Sequence, residues 1–291
     1  MAPITVAGII LGSVAVVTLS TGRPGGIQAV EKTTTASVAS KPVVKARVVT
    51  VTGKDFKFDA PDEIPAGLTE FRFLNKGPSI HHMQILRLTN GKTFGDLSAA
   101  LKRQGPPPKW MKEVGGPNAP APGMESNATL MLEPGNYAII CFVDIGGAPH
   151  FTKGMVRPFK VVAASGPAAS NPIPDVTATL VDYNFKLSSP ILAGMRTIRV
   201  QNSGPQNHEI ELVQLAPGKT ANDFLAWAGA GMKGPPPAKP IGGVAAIERG
   251  MSQTFSANFT PGNYAFICFI PDAKDGKPHF VHGMTKDFSV R

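Results

Sequence analysis

With 291 residues the chain is long enough for two ordinary domains, each with its own core. Its 42% apolar and 17% charged residues exclude a disordered chain, and 31 glycines with 28 prolines favour turns and short strands over long helices. The net charge of +9 comes with no arginine-rich run and no basic stripe interleaved with aromatics, which sets nucleic acid aside and leaves acidic proteins as the partners of a basic surface.

At the amino end, "PITVAGIILGSVAVVTL" (3–19) is an uncharged apolar run of signal-peptide or short-anchor length, although no lysine or arginine precedes it. Residues 20–45 are small and polar, as a flexible spacer would be. The expectation for 1–45 is therefore a signal peptide or N-terminal anchor plus spacer. It implies an exported protein, periplasmic or extracellular, soluble or anchored, with membrane association through residues 3–19.

Beyond residue 45 the chain repeats itself. "IPAGLTEFRFLNKG" (64–77) matches "ILAGMRTIRVQNSG" (191–204), and "EPGNYAIICF" (133–142) matches "TPGNYAFICF" (260–269). Asn75 and Asn202 lie 127 residues apart, as do Cys141 and Cys268. The expected organisation is one domain over 46–163, a linker over 164–174, and a second domain over 175–291. In chain order, "RVVTVT", "LTEFRFLN", "MQILRL", "NATLML", "NYAIICF" and "RPFKVV" are short, β-branched or aromatic runs bounded by glycine, proline or asparagine, the mark of strands. The second unit offers "VTATLV", "MRTIRVQ", "EIELVQL", "QTFSANF", "NYAFICF" and "KDFSV". "FGDLSAALKR" and "TANDFLAWAG" have helical spacing, each ahead of a GPPP segment. This pattern predicts an all-β fold of two tandem Greek-key sandwiches or barrels, each with a short helical excursion. "NATLML" is expected to form a hairpin with "NYAIICF". The excursion before it should end beside the strand-end chemistry, making 115–124 and 242–251 rims that shield it.

That chemistry is carried by histidine, cysteine and methionine. All six histidines fall in two matching constellations, with both cysteines. Singly, a cysteine on an apolar strand is core packing and a methionine is core filler. Repeated as a set, His81, Cys141, His150 and Met155, then His208, Cys268, His279 and Met284, they suit a metal centre: two imidazoles, a thiolate and a weak axial thioether make an electron-transfer copper site. His82 and His282 read first as exposed neighbours and second as ligands. Tyr137 and Tyr264 read as corner or core residues. The equivalent positions of the two cysteines argue against a disulfide between them.

These residues resemble the cupredoxin family. "PGNYAIICF…H…GMVRPFKV" is similar to its Gly-x-Tyr, cysteine, histidine, Gly-Met loop running into the last strand, and the C-x8-H-x4-M spacing is similar to copper nitrite reductases, which also have two cupredoxin domains. The resemblance implies copper, one ion per domain, on the two sets named above. It implies electron transfer through an exposed-edge histidine, His150 or His279, to an acidic redox partner. The alternatives are copper carriage between a donor and an acceptor, and a metal-free scaffold module. The enzymes of the family place a histidine before the ligand cysteine; here Ile140 and Ile267 stand there, and no His-x-His pair occurs, so an oxidase or nitrite reductase lacks its machinery. After the first histidine, where the family often has asparagine or serine, this chain has His82 and Glu209.

Overall fold

The computed structural model describes residues 44–103, 105–144 and 147–291. The expected leader over 1–45 falls almost entirely outside these residues. Among the described residues no helix is long and apolar enough to cross a membrane.

The first half runs β1 (Arg47–Lys54), β2 (Lys57–Asp59), β3 (Glu63–Pro65), β4 (Gly67–Asn75), β5 (Gln84–Leu88), α1 (Phe94–Leu101), β6 (Met111–Glu113), β7 (Glu125–Leu132), β8 (Gly135–Ile140) and β9 (Val156–Val162). The second runs β10 (Val176–Val181), β11 (Asn184–Leu187), β12 (Gly194–Asn202), β13 (His208–Leu215), α2 (Ala221–Gly229), β14 (Ala238–Ile247), β15 (Ser252–Phe259), β16 (Gly262–Ile267) and β17 (Thr285–Val290). Each half is a sandwich. In the first, β2-β1-β4-β7 faces β3-β9-β8-β5-β6; in the second, β11-β10-β12-β15 faces β14-β13-β16-β17. A contact between Thr129 on β7 and Thr254 on β15 joins the outer sheets into one of eight strands.

The strand "NYAIICF" is apolar at every position because both of its faces are covered. Tyr137, Ile139 and Cys141 point into the sandwich core with Phe71, Phe73 and Met155. Ala138 and Ile140 lie on the other face, against Leu97 of α1, with Leu86 and Leu88 of β5. The second half divides "NYAFICF" the same way, with Ala265 and Ile267 packed near Phe224 of α2. Each helix starts with a threonine, Thr93 or Thr220, that caps the third helical residue while Asp96 or Asp223 reaches back to the threonine N–H.

Two expectations are corrected here. β7 does not form a hairpin with β8: it pairs with β4, whereas β8 pairs with β5 and β9. The chain crosses between sheets at Glu133–Gly135, where Tyr137 donates its hydroxyl to the Glu133 carbonyl (2.8 Å), as Tyr264 does to Thr260 (2.9 Å). The proposed rims face each other. Residues 115–120 run along β5, with Ile85 and Met83 donating to Gly115 and Pro117, and their other edge bridges to β14 through Val114–Ile247, Pro117–Val244 and Pro120–Ile241. β14 itself, rich in proline and glycine, has no alternating pattern and is not legible as a strand.

Candidate metal centres

Buried asparagines set up the loop that leads to the first histidine of each half. Asn75 donates to the carbonyls of Ser79 and Pro120 and accepts from Gly77 N–H; Asn202 does the same with Gln206, Ile247 and Gly204. The second loop is fixed by backbone alone. Cys141 N–H donates to Met155, Phe151 N–H to Cys141, His150 N–H to Val143 and Met155 N–H to His150. The second half repeats all four bonds at Cys268, Phe280, His279 and Met284. Its two extra residues are absorbed in the turn 272–277, so the ligand positions do not move.

As a result the sequence-predicted residues converge. His81 Nδ1 lies 2.9 Å from His150 Nδ1, which lies 3.6 Å from Cys141 Sγ. In the second centre His208 Nδ1 lies 3.1 Å from His279 Nδ1, which lies 3.4 Å from Cys268 Sγ. In each group the three donor atoms lie within 4.8 Å of one another. Met155 and Met284 are fully buried in the same core clusters as their cysteines. Both cysteines are free.

His82 does not join its group, and it is buried rather than exposed. Its Nε2 faces the N–H of Phe142, the residue after Cys141, at 3.5 Å. Glu209 takes the same place in the second half, accepting from Phe269 N–H at 2.9 Å. These two side chains brace the cysteine loops. His282 is partly exposed and pairs with Asp275 at 3.2 Å. The expectation of an exposed-edge histidine is overturned: His150 is 1% exposed and His279 fully buried. Phe56 covers His150 edge-on at 4.8 Å between ring centroids, and Tyr183 covers His279 at 5.4 Å.

Sequence reasoning missed two carboxylates. His81 Nε2 donates to Asp55 (2.5 Å) and His208 Nε2 to Asp182 (2.7 Å). A signal existed: Asp55 and Asp182 lie 127 residues apart, as do the two histidines, in "DFKF" and "DYNF". The contact also explains the glycines of "NKG" and "NSG". A Cβ on Gly77 would lie 2.6 Å from the Asp55 carboxylate, and one on Gly204 would lie 2.6 Å from His208 Nε2.

Each aspartate selects the tautomer. With Nε2–H donated to the carboxylate, Nδ1 keeps its lone pair, and the Nδ1–H of the second histidine donates to it when no cation lies between them. Burial pushes the Cys141 thiol up to about 12 and the Cys268 thiol well above its ordinary value. Burial also lowers all four imidazoles, His150 and His279 to about 4, while Asp55 and Asp182 partly offset it at His81 and His208. Burial works against ionisation of Asp55 too, but the Ser79 hydroxyl and His81 hold its carboxyl below the usual range. Unprotonated imidazoles beside a thiol that gives up its proton only to a strong competitor fit a soft, N- and S-loving cation.

No protein-family model and no curated protein matches the chain. Solved structures do, with low scores. A multicopper oxidase is 13% identical with a TM-score of 0.25, over 84% of this chain and 88% of that one. The dithionite-reduced auracyanin of Roseiflexus castenholzii is 23% identical (TM-score 0.27), covering 40% of this chain and 94% of its own. The copper nitrite reductase of Nitrosomonas europaea is 12% identical (TM-score 0.25), over 85% and 94%. The neighbours are thus cupredoxins and copper enzymes with cupredoxin domains. At such scores they carry nothing about the chemistry of this chain.

Proposed function

We propose that each centre holds one copper ion and that the protein passes single electrons. The observation that carries this reading is the recurrence, in both halves, of a buried His–Cys–His group whose first imidazole is pinned by an aspartate. His81, Cys141 and His150 would hold one ion and His208, Cys268 and His279 the other, with Met155 and Met284 as weak axial donors. Copper on such a donor set supplies a one-electron couple, because thiolate and thioether favour the cuprous ion while imidazole accepts both states.

The rest falls to the protein. Asp55 and Asp182 hold the first rings in one orientation and raise their basicity. The four backbone bonds of each ligand loop keep cysteine and second histidine in place whatever the charge between them. Burial keeps water from the thiolate. Phe56 and Tyr183 are then the groups through which an acidic partner, drawn by the +9 chain, would couple to the buried rings. Export through the 1–45 leader belongs to the same proposal.

Reduction with ascorbate and reoxidation with ferricyanide, with a cuprous chelator present, tests it. Electron transfer predicts a visible band that returns in full with the copper retained. Loss of copper to the chelator on reduction would favour carriage, and no copper uptake would leave a scaffold.

A further inference from the structure

Between the two halves lies a cavity of about 930 Å³, separate from both metal centres. Its apolar wall is aromatic and drawn from both halves: Trp110, Phe142 and Phe151 from the first, Phe224 and Phe269 from the second. Its polar wall is acidic. Glu209 and Glu211 line it, at 7% and 5% exposure, with Glu113 beside them.

The hydrogen bonds of these carboxylates are incomplete. Glu209 accepts from Phe269 N–H (2.9 Å) and the Asn118 amide (3.2 Å), and Glu113 accepts from the Asn207 amide (2.7 Å). Glu211 accepts through one oxygen from Ala119 N–H (3.1 Å), while its Oε1 is buried without any partner. Among the described residues no lysine or arginine pairs with Glu209 or Glu211. Lys92, which also lines the cavity, is held by Asp96 at 3.0 Å. Buried carboxylates are ordinarily paired with a cation, and an unpaired oxygen facing a cavity is a vacancy for a donor. A bare metal ion fits poorly, since these side chains form no convergent group of metal-binding atoms. It would also leave five aromatic faces unused, and such faces attract organic cations.

We propose that the cavity binds a protonated primary amine carried on an apolar or aromatic body, its ammonium donating to Glu211 Oε1 and its body lying among the aromatic rings. The volume suits a ligand of small-molecule size.

The test is titration of the full chain with 2-phenylethylammonium chloride, read by calorimetry and by the fluorescence of Trp110 in a Trp227→Phe background. Trp227 does not line the cavity. Saturable one-to-one binding is expected, with uncharged 2-phenylethanol binding about tenfold or more weakly and Glu211→Gln removing most of that difference. Absence of saturable binding, or equal binding of amine and alcohol to the unmutated carboxylates, overturns the proposal, as does a folded Glu211→Gln protein that binds the amine unchanged. The amine and alcohol comparison needs no change at Glu211, so it decides even if that variant does not fold. None of these readouts depends on copper, so failure here leaves the metal centres as proposed.

Discussion

In the first centre His150 lies under Phe56, and the Lys153 ammonium sits 4.6 Å above that ring; in the second, His279 lies under Tyr183, whose hydroxyl donates to Asp272. Asp272 lies 3.8 Å from His279 Nε2, an atom with no hydrogen-bond partner. The cysteine loop is braced by His82 in the first half and by Glu209 in the second. Ligands and backbone are therefore shared, while the surroundings are cationic or neutral on one side and acidic on the other. Negative charge favours the more positive state of a bound ion, so the second centre should have the lower reduction potential. The difference teaches that a duplicated ligand set can give two distinct redox levels through side chains that touch no metal.

The largest effect breaks one centre and spares the other. Cys141→Ser and Cys268→Ser are each expected to abolish one copper–thiolate band, and the double variant to be colourless; visible absorption with metal analysis checks this. Next comes the carboxylate behind each ring. Asp55→Asn and Asp182→Asn should weaken copper binding at their own centre by roughly 10–100-fold in chelator competition, and Gly77→Ala should act like Asp55→Asn by pushing the carboxylate away. Smaller still, Glu209→Gln should raise the potential of the second centre by about 60 mV, the one-electron equivalent of a tenfold change, and leave the first where it was. Spectroelectrochemistry of the two cysteine variants separates the centres.

The mildest prediction applies to both halves of the metal-free protein. His150 and His279 titrate near 4 when folded and near the ordinary 6.5 when unfolded. The unfolded chain thus binds more protons between these values, and stability should be complete above about pH 6.5 and fall as the pH drops toward 4. Urea midpoints across that range check the sign; a midpoint that rises on acidification would contradict it.

Much of this was legible in the sequence because strand alternation and loop spacing are local. The apolar run before each cysteine, the histidine on the turn and the glycine before methionine are all read within 25 residues. What depends on chain crossing was not. The sheet change after β7 turns on a tyrosine hydroxyl bond, which propensity does not encode, so a hairpin was the natural but wrong expectation. β14 is a strand because its neighbours offer it edges, not because of its composition. Asp55 and Asp182 escaped notice because a lone aspartate at a strand end looks like a turn residue. Only the shared 127-residue interval marks them as partners of the histidines. Burial of His150 and His279 could not be read either, since Phe56 and Tyr183 reach them from strands distant in sequence.

The central claim is two copper centres, one per half. Titrating the metal-free full chain with copper while recording visible absorption and paramagnetic resonance tests it most directly. The account predicts uptake of two equivalents, each adding an intense thiolate-to-copper band. Saturation without such a band, or with no copper bound at all, would contradict it.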